Sequence, residues 1–340
     1  MITLVTGASG FVGSHVARQL AQAGHEVRIL VRTESSSPLL ANLRAERVDG
    51  DLRDPLSVER AMRGVRQVYH VAADYRLWCR DPQEIYRTNV DGTRRVLEIA
   101  GNAGVSRVVY TSTVATMAVP QHDGKLPNED TLTSLDEMIG HYKRSKFLAE
   151  LEAIKAAAAG LPVVIVNPTT PVGPSDWKPT PTGRIIVDFL NGKMPAYVDT
   201  GLNLVAVGDV ARGHLLAAEK GRIGERYILG ARNMTLKEIL DALARITGRP
   251  APRVRLPHVV ALVAAYSDYW ISQLTGRDPR IPVEGAKMAR HRMFVDSDKA
   301  ARELNYTTSS IEDALERAVK WYIDNGYVRA GKAALHSRAA

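Results

Sequence analysis

Two residues able to handle protons lie four apart in GHYKRSK, residues 140 to 146: Tyr142 and Lys146. On a helix, positions i and i+4 share one face, so an ammonium there can lie beside a phenol. A free tyrosine ionises near ~10, too high for ready proton exchange at neutral pH, and an adjacent cation lowers that value. Tuned in this way, Tyr142 could serve as a general acid or base. The same spacing also describes a solvated, positively charged helix face, and the heptapeptide alone fits both readings. Lys143 and Arg144, on other sides of the helix, read as such solvated charge.

A second constellation could hold an anion. Gly7, Gly10 and Gly13, in TGASGFVG, follow the apolar run ITLVT and open a segment in which Phe11, Val12, Val16 and Leu20 have helical spacing. Glycine allows turn conformations closed to other residues, and without a Cβ it lets a pyrophosphate approach the amides. The helix start behind it offers free N–H groups and a positive dipole end. The spacing is G-x-x-G-x-x-G rather than G-x-G-x-x-G. The next apolar run, EVRILV, ends at Arg32, with Thr33, Ser35, Ser36 and Ser37 nearby and no acid before Glu34. A carboxylate at this point takes the ribose hydroxyls of NAD, whereas a guanidinium suits the 2′-phosphate of NADP. NADP is therefore the expected cofactor, with a merely solvated strand-end arginine as the alternative.

Strand, tight turn, helix and strand within about thirty residues make a βαβ unit. The alternation continues through strands ending at 51 and spanning 67–73, 107–113 and 162–168, with helices from Pro55, over 84–103 and from Gly140. Such alternation predicts an α/β fold, a Rossmann-type doubly wound parallel sheet covered on both faces. This NADP-binding domain is expected over 1–168. Past Pro168 a loop rich in Pro and Gly (169–184) and shorter, proline-interrupted elements read as a smaller C-terminal substrate-binding cap over 169–325. Within it, 203–219 is expected to return to the main domain, and 326–340 reads as a basic, disordered tail.

Composition narrows the setting. Of 340 residues, 45% are hydrophobic and 24% charged, ordinary values for a soluble globular protein. Cys79 is the single cysteine, so no disulfide forms within the chain, in keeping with a reducing, cytoplasmic setting. The N-terminus turns to glycine after six residues, so no secretory signal is expected. Histidines occur singly, without metal-ligand spacing, and no metal site is assigned. The net charge of +8 is scattered, which favours a solvated surface over nucleic-acid binding. The apolar segment 256–274, LPHVVALVAAYSDYWISQL, is too short and too interrupted to span a bilayer. Two readings of it are open: a core or dimer-contact helix, or an interfacial surface admitting a lipid-like substrate at the inner membrane. The basic tail could add weak attraction to anionic lipid.

The glycine turn, the Y-x-x-x-K pair and the hydroxyl cluster Thr111, Ser112, Thr113 occur in order with GDLRD (50–54), VAA (71–73), TNVDGT (88–93) and NPTTPVGP (167–174). Together they resemble the extended short-chain dehydrogenase/reductase superfamily, the NAD-dependent epimerase/dehydratase superfamily, to about residue 325. Within it the chain is similar to dihydroflavonol-reductase-like proteins. TPVGP…KPTPTGRII and GLNLVAV most resemble the hopanoid-associated sugar epimerase subgroup.

The resemblance implies Tyr142 as acid/base, Lys146 as its partner and ribose ligand, and Thr113 as the hydroxyl holding the substrate oxygen, with Ser112 as fallback. It implies cofactor contacts from Gly7, Ser9, Gly10, Phe11, Val12 and Gly13 in the turn and from Arg32. Asp51 and Leu52 would lie at the adenine, with Ala72 and Ala73 along the cleft. Thr111, Asn167 and Pro168 would also touch the cofactor, with Thr169 and Thr170 by the carboxamide. Trp78, Trp177, Lys178 and Arg184 would border a small-molecule substrate, lipid-linked or sugar-like. Asn89 either anchors the active-site helix or is a polar residue ahead of DGT. A homodimer through the helices at 84–103 and Tyr142 is implied.

One departure bears on the substrate: Leu202, Asn203 and Leu204 stand where nucleotide-sugar epimerases commonly carry an arginine for the diphosphate. The expected function is an NADP(H)-dependent oxidoreductase. The alternatives are an epimerase or dehydratase without net cofactor turnover, and a non-catalytic NADP-sensing or nucleic-acid-binding relative.

Overall fold

The computed structural model describes residues 1–33, 37–118 and 124–328. Chain order runs β1 (Ile2–Thr6), α1 (Phe11–Gln22), β2 (Glu26–Val31), β3 (Glu46–Asp49), α2 (Pro55–Met62) and β4 (Val65–His70). It continues with α3 (Gln83–Tyr86), a π turn at Arg87–Asp91, α4 (Gly92–Asn102), β5 (Arg107–Thr111), α5 (Gly140–Ala158) and β6 (Val163–Pro168). Then follow β7 (Thr170–Val172), α6 (Pro181–Leu190), β8 (Ala196–Val198), β9 (Gly201–Ala206), α7 (Val207–Lys220), β10 (Arg226–Leu229) and β11 (Arg232–Thr235). The last elements are α8 (Leu236–Thr247), β12 (Val254–Leu256), α9 (His258–Thr275), α10 (Val283–Met288), β13 (Arg292–Met293), α11 (Asp298–Leu304) and α12 (Ile311–Asp324).

Seven parallel strands form the main sheet in the order β10-β6-β5-β4-β1-β2-β3. This is the expected doubly wound sheet, and its order reverses direction between β1 and β4, the point at which such sheets open a crevice for a ligand. Period-two alternation sorts the strand side chains into two cores. Val5, Val109 and Val164 pack with α1 and α7, whereas Leu4, Val108 and Ile165 pack with α2, α4 and α5.

A separate core of Ile186, Leu240, Leu243, Leu315 and Val319 joins α6, α8 and α12 under the small sheet of β11, β9, β13 and β7. Of the segment 203–219, α7 lies on the main sheet, while residues 203–206 belong to β9 of the small sheet. The strand that rejoins the main sheet is β10, further along. The loop expected over 169–184 holds β7 and the first turn of α6, because Pro171 occupies a short edge strand and Pro181 sits at a helix N1 position, where its missing N–H costs nothing. The single helix expected over 84–103 is divided by the π turn, with Asn89 at its middle. Of the tail, Tyr327 and Val328 are packed, with Val328 buried; the rest, like Glu34, Ser35 and Ser36, lies outside the described residues.

Leu4 is fully buried between β1 and the α2/α4 layer. Leu4→Ala should lower unfolding free energy by about 2–5 kcal/mol in urea titrations, the usual loss for a leucine whose neighbours cannot collapse into the space.

Candidate active site

The turn between β1 and α1 is held by very close approach. Gly7 has φ +76°, and a Cβ there would lie 2.6 Å from the Ala72 nitrogen; one on Gly13 would lie 2.2 Å from the Gly7 oxygen. Only glycine lets β1, the end of β4 and α1 meet so tightly. Gly10 caps α1 without any side-chain hydrogen bond, and the first turn holds no acid. Its leading amides and positive dipole end thus stay available to an anion. Ser9 carbonyl accepts from the Ser37 hydroxyl at 3.0 Å, which ties the turn to the short helical turn at Pro38–Leu40.

Arg32 follows β2 and is exposed. The Arg47 guanidinium donates to the Arg32 carbonyl at 3.5 Å and the Thr33 carbonyl at 3.3 Å while its Nε pairs with Asp49 at 2.8 Å, a contact the sequence reading missed. Asp51 is clasped by Arg53 through two bonds of 2.9 Å, and this guanidinium holds its carboxyl below the usual range. Leu52 is buried, with its carbonyl accepting from Arg95 at 2.6 Å.

The reacting groups gather at the carboxyl end of β5. The Thr113 hydroxyl lies by the Tyr142 phenol, close enough to act on its ionisation. Lys146 is buried, and its ammonium donates to the Thr111 carbonyl at 2.8 Å and the Tyr110 hydroxyl at 3.1 Å. Burial pulls its pKa down to about 8, against the opposing pull of Glu150 one turn later. The expected lowering of the Tyr142 pKa does not occur: burial pushes the phenol above its ordinary value, with the Thr113 hydroxyl acting the other way. The reason is orientation, since the ammonium meets Tyr110 and Thr111 instead.

Behind Lys146 runs a polar chain absent from the sequence reading. The Thr93 hydroxyl lies near enough to the Tyr110 phenol to oppose the effect of its burial, His70 Nε2 lies 3.0 Å from the Thr93 hydroxyl, and His70 Nδ1 lies 2.8 Å from that of Thr6. His70 is fully buried and its pKa falls to about 3, so the imidazole is neutral. A tyrosine and a histidine inside strands look like core residues in sequence; only their polar tips distinguish them.

Several site residues act as braces. Asn89 accepts from the Asp74 amide at 2.7 Å and donates to the Asp74 carbonyl at 2.8 Å and the Ser145 hydroxyl at 2.9 Å. Ser145 in turn donates to the Tyr142 carbonyl at 2.8 Å, so Asn89 does anchor the Tyr142 helix. Asn167 donates to the Thr113 carbonyl at 3.1 Å and to Glu150 at 2.8 Å. The Thr111 hydroxyl faces His214 Nε2 at 2.8 Å, leaving its carbonyl for Lys146. Thr169 bonds back to the Leu229 carbonyl, while Pro168 and Thr170 lie at the β6–β7 junction. Lys143, expected to be solvated, is buried with its pKa pulled down to about 8 by desolvation, because α5 is flanked by α3, α4 and β6.

On the substrate side, Tyr75 was missed. It acts electrostatically on Tyr142 and reaches the Lys178 carbonyl at 3.5 Å, so it links the phenol to the 176–178 loop. Trp177 stands edge-on to Trp321 and Tyr327 at 6.0 and 6.3 Å. Trp78 is half-buried on the 74–81 loop, and Arg184 is exposed on α6. Among the described residues no group of His, Cys, Asp or Glu could hold a metal ion.

A nicotinamide dinucleotide fits what is present. The uncapped helix start would receive its diphosphate, and the buried Ser112 hydroxyl and Asn167 Oδ1 lack hydrogen-bond partners beside Thr113. Glycine turn, switch-point crevice and Thr-Tyr-Lys group together define an NAD(P)-dependent enzyme.

The NAD dependent epimerase/dehydratase family model matches residues 3–230, and the chain belongs to that family of extended short-chain dehydrogenase/reductases. A candidate dihydroflavonol 4-reductase of Synechocystis sp. is 46% identical over 329 residues, 96% of this chain and 95% of that one. Sterol demethylase protein B of Methylococcus capsulatus is 36% identical over 330 residues, 96% and 100% of the two chains. The structure of the dTDP-glucose 4,6-dehydratase DesIV of Streptomyces venezuelae, with NAD and TYD bound, matches with TM-score 0.76 at 27% identity over 97% and 99% of the chains.

Tyr110→Phe should cut turnover about 10- to 100-fold, since a hydrogen bond to a buried charge is worth about 1.5–3 kcal/mol. Lys146 is charged below about pH 8, so a step that needs its ammonium should decline as pH rises through that value. In the variant, losing the phenol leaves the ammonium with the Thr111 carbonyl alone, and the decline should move to lower pH. A pH–rate profile of both proteins checks this.

Proposed function

We propose that the chain is an NADP(H)-dependent reductase acting on a carbonyl/alcohol pair of a lipid-like or sugar-like substrate. The observation that carries this reading is the Thr113–Tyr142 hydroxyl pair set beside a buried, desolvated Lys146. A bound nicotinamide dinucleotide supplies the hydride. The Thr113 and Tyr142 hydroxyls hold the substrate oxygen, and Tyr142 gives it a proton as the carbonyl becomes an alcohol. An ammonium has three N–H donors, and two of Lys146's are engaged by Tyr110 and Thr111, which leaves one for the phenol or the cofactor ribose. Its positive charge favours the phenolate left after proton transfer.

Arg32, with no acid before Glu34 at the end of its own strand, supports NADP over NAD. A reductase is favoured over a nucleotide-sugar epimerase by β9. There Asn203 is committed to Asn233 and the Ala231 amide, and Leu204 is buried, so this strand offers no cation for a diphosphate. The relative named for sterol demethylation supports a hydrophobic, lipid-like substrate.

Tyr142→Phe should lower turnover by at least 10³-fold while leaving dinucleotide binding, read by fluorescence, within about threefold; such a loss reflects a proton transfer made only in the transition state. Unchanged turnover would remove Tyr142 from the mechanism. Arg32→Ala should raise the KM for NADPH about tenfold or more and leave that for NADH unchanged. Candidate substrates should consume NADPH absorbance; product formed without that loss would instead mark an epimerase.

A further inference from the structure

The helix α9 is an unusual element for a soluble protein. Val259, Val263, Tyr266, Trp270 and Leu274 recur at spacings of four and three, forming one stripe along its length. All are exposed, Trp270 at 65% and Leu274 at 87%, and Val260 and Ile271 widen the stripe. Only Ala265 and Ser272 of its eighteen residues are buried, so the helix touches the body along a narrow edge. Single exposed apolar side chains are ordinary, but a continuous band over four turns marks an interaction surface.

The chemistry around the band identifies what it meets. Asp268, the one acid in α9, is turned inward: it accepts from Arg277 and the Arg280 amide, both at 2.5 Å, and from the Ile281 amide at 2.9 Å. Between residues 253 and 292 there are seven Lys and Arg against three Asp and Glu. Arg253 stands just before α9 and Arg280 just after it, while Arg290 follows α10, which packs on α9. These three are exposed and have no acidic partner among the described residues. Lys287 of α10 lies 5.9 Å over the Tyr266 ring. Valine and leucine with Trp and Tyr, framed by unpaired cations, is the composition of a helix lying in a membrane interface.

We infer that α9 lies flat on an anionic bilayer, its apolar stripe among the acyl chains and its framing cations on the headgroups. At about 1.5 Å per residue the helix presents roughly 27 Å of contact, and among the described residues no helix is long and apolar enough to cross a membrane. Charge argues against a second copy as the occupant. A twofold interface sets the patch against itself, so the basic end of one α9 would face a basic end of the other.

The same hairpin adjoins the active site. Glu284 of α10 accepts from the His141 amide at 3.1 Å, and Arg80 of the 74–81 loop donates to the Gly276 carbonyl at 2.9 Å. The bilayer contact stands apart from the reductase reading; a lipid-like substrate entering from the membrane side would rest on both.

The test is cosedimentation of the full chain with extruded vesicles of phosphatidylcholine alone or mixed equally with phosphatidylglycerol. Binding should favour the anionic vesicles and weaken in high salt. Val263→Glu with Leu274→Glu should lose at least tenfold with circular dichroism and melting unchanged. Arg253→Gln with Arg280→Gln should lose roughly 10- to 30-fold on anionic vesicles, at about 1 kcal/mol per cation. Absence of vesicle binding overturns the proposal. So does binding that survives the two glutamates, which would be charge attraction through the basic residues 329–340. An assembly seen by light scattering, dissolved by the same glutamates and indifferent to vesicles, would assign the stripe to a second copy instead.

Discussion

A buried ammonium must be hydrogen-bonded or give up its proton, and in this molecule that requirement falls on Lys146. Its two partners come from the last residues of β5, the Tyr110 hydroxyl and the Thr111 carbonyl, so the lysine is fastened to the sheet rather than to its own helix. Glu150, on the next turn of α5, favours the charge without touching it. Burial still wins, and the group titrates at about 8. The ammonium can therefore be present at neutral pH while lying close to the point where it is lost.

The surroundings read as support for that placement. Tyr110 lies by Thr93 of α4, which bonds His70 of β4, which bonds Thr6 of β1. The same Thr6 hydroxyl accepts the Ala72 amide at 3.2 Å, and Ala72 is the residue against which Gly7 closes. A run of polar groups thus leads from the glycine turn to Lys146 across three strands. Such a chain inside a dry core specifies geometry as much as it adds stability. On the far side, Asn89 and Ser145 fix the Tyr142 backbone, and Asn167 with Glu150 fixes the Thr113 backbone.

β9 turns Leu204 and Asn203 into the interior of the small sheet, and the aromatic group of Trp177, Trp321 and Tyr327 closes the cap side. The Tyr75 phenol bridges that region toward Tyr142. Apolar and aromatic surfaces therefore recur both beside the reacting groups and along α9.

The parallel sheet, the glycine turn and the placing of Tyr142 and Lys146 on one helix were legible in the sequence, because each depends on local spacing: a period of two for strands, four residues for a helix face, and the backbone freedom of glycine; Thr113 entered through the family resemblance, and Asn89 had two open readings. The order of the strands, the return of β10, the burial of Lys143 and the Thr6–His70–Thr93–Tyr110 chain were not legible. These arise where elements distant in sequence meet, and a tyrosine or histidine in an apolar run looks the same whether its polar tip is satisfied or idle. The direction of the Lys146 ammonium belongs to this second group. Spacing placed it on the face of Tyr142, but the partners within reach across β5 decided where it points.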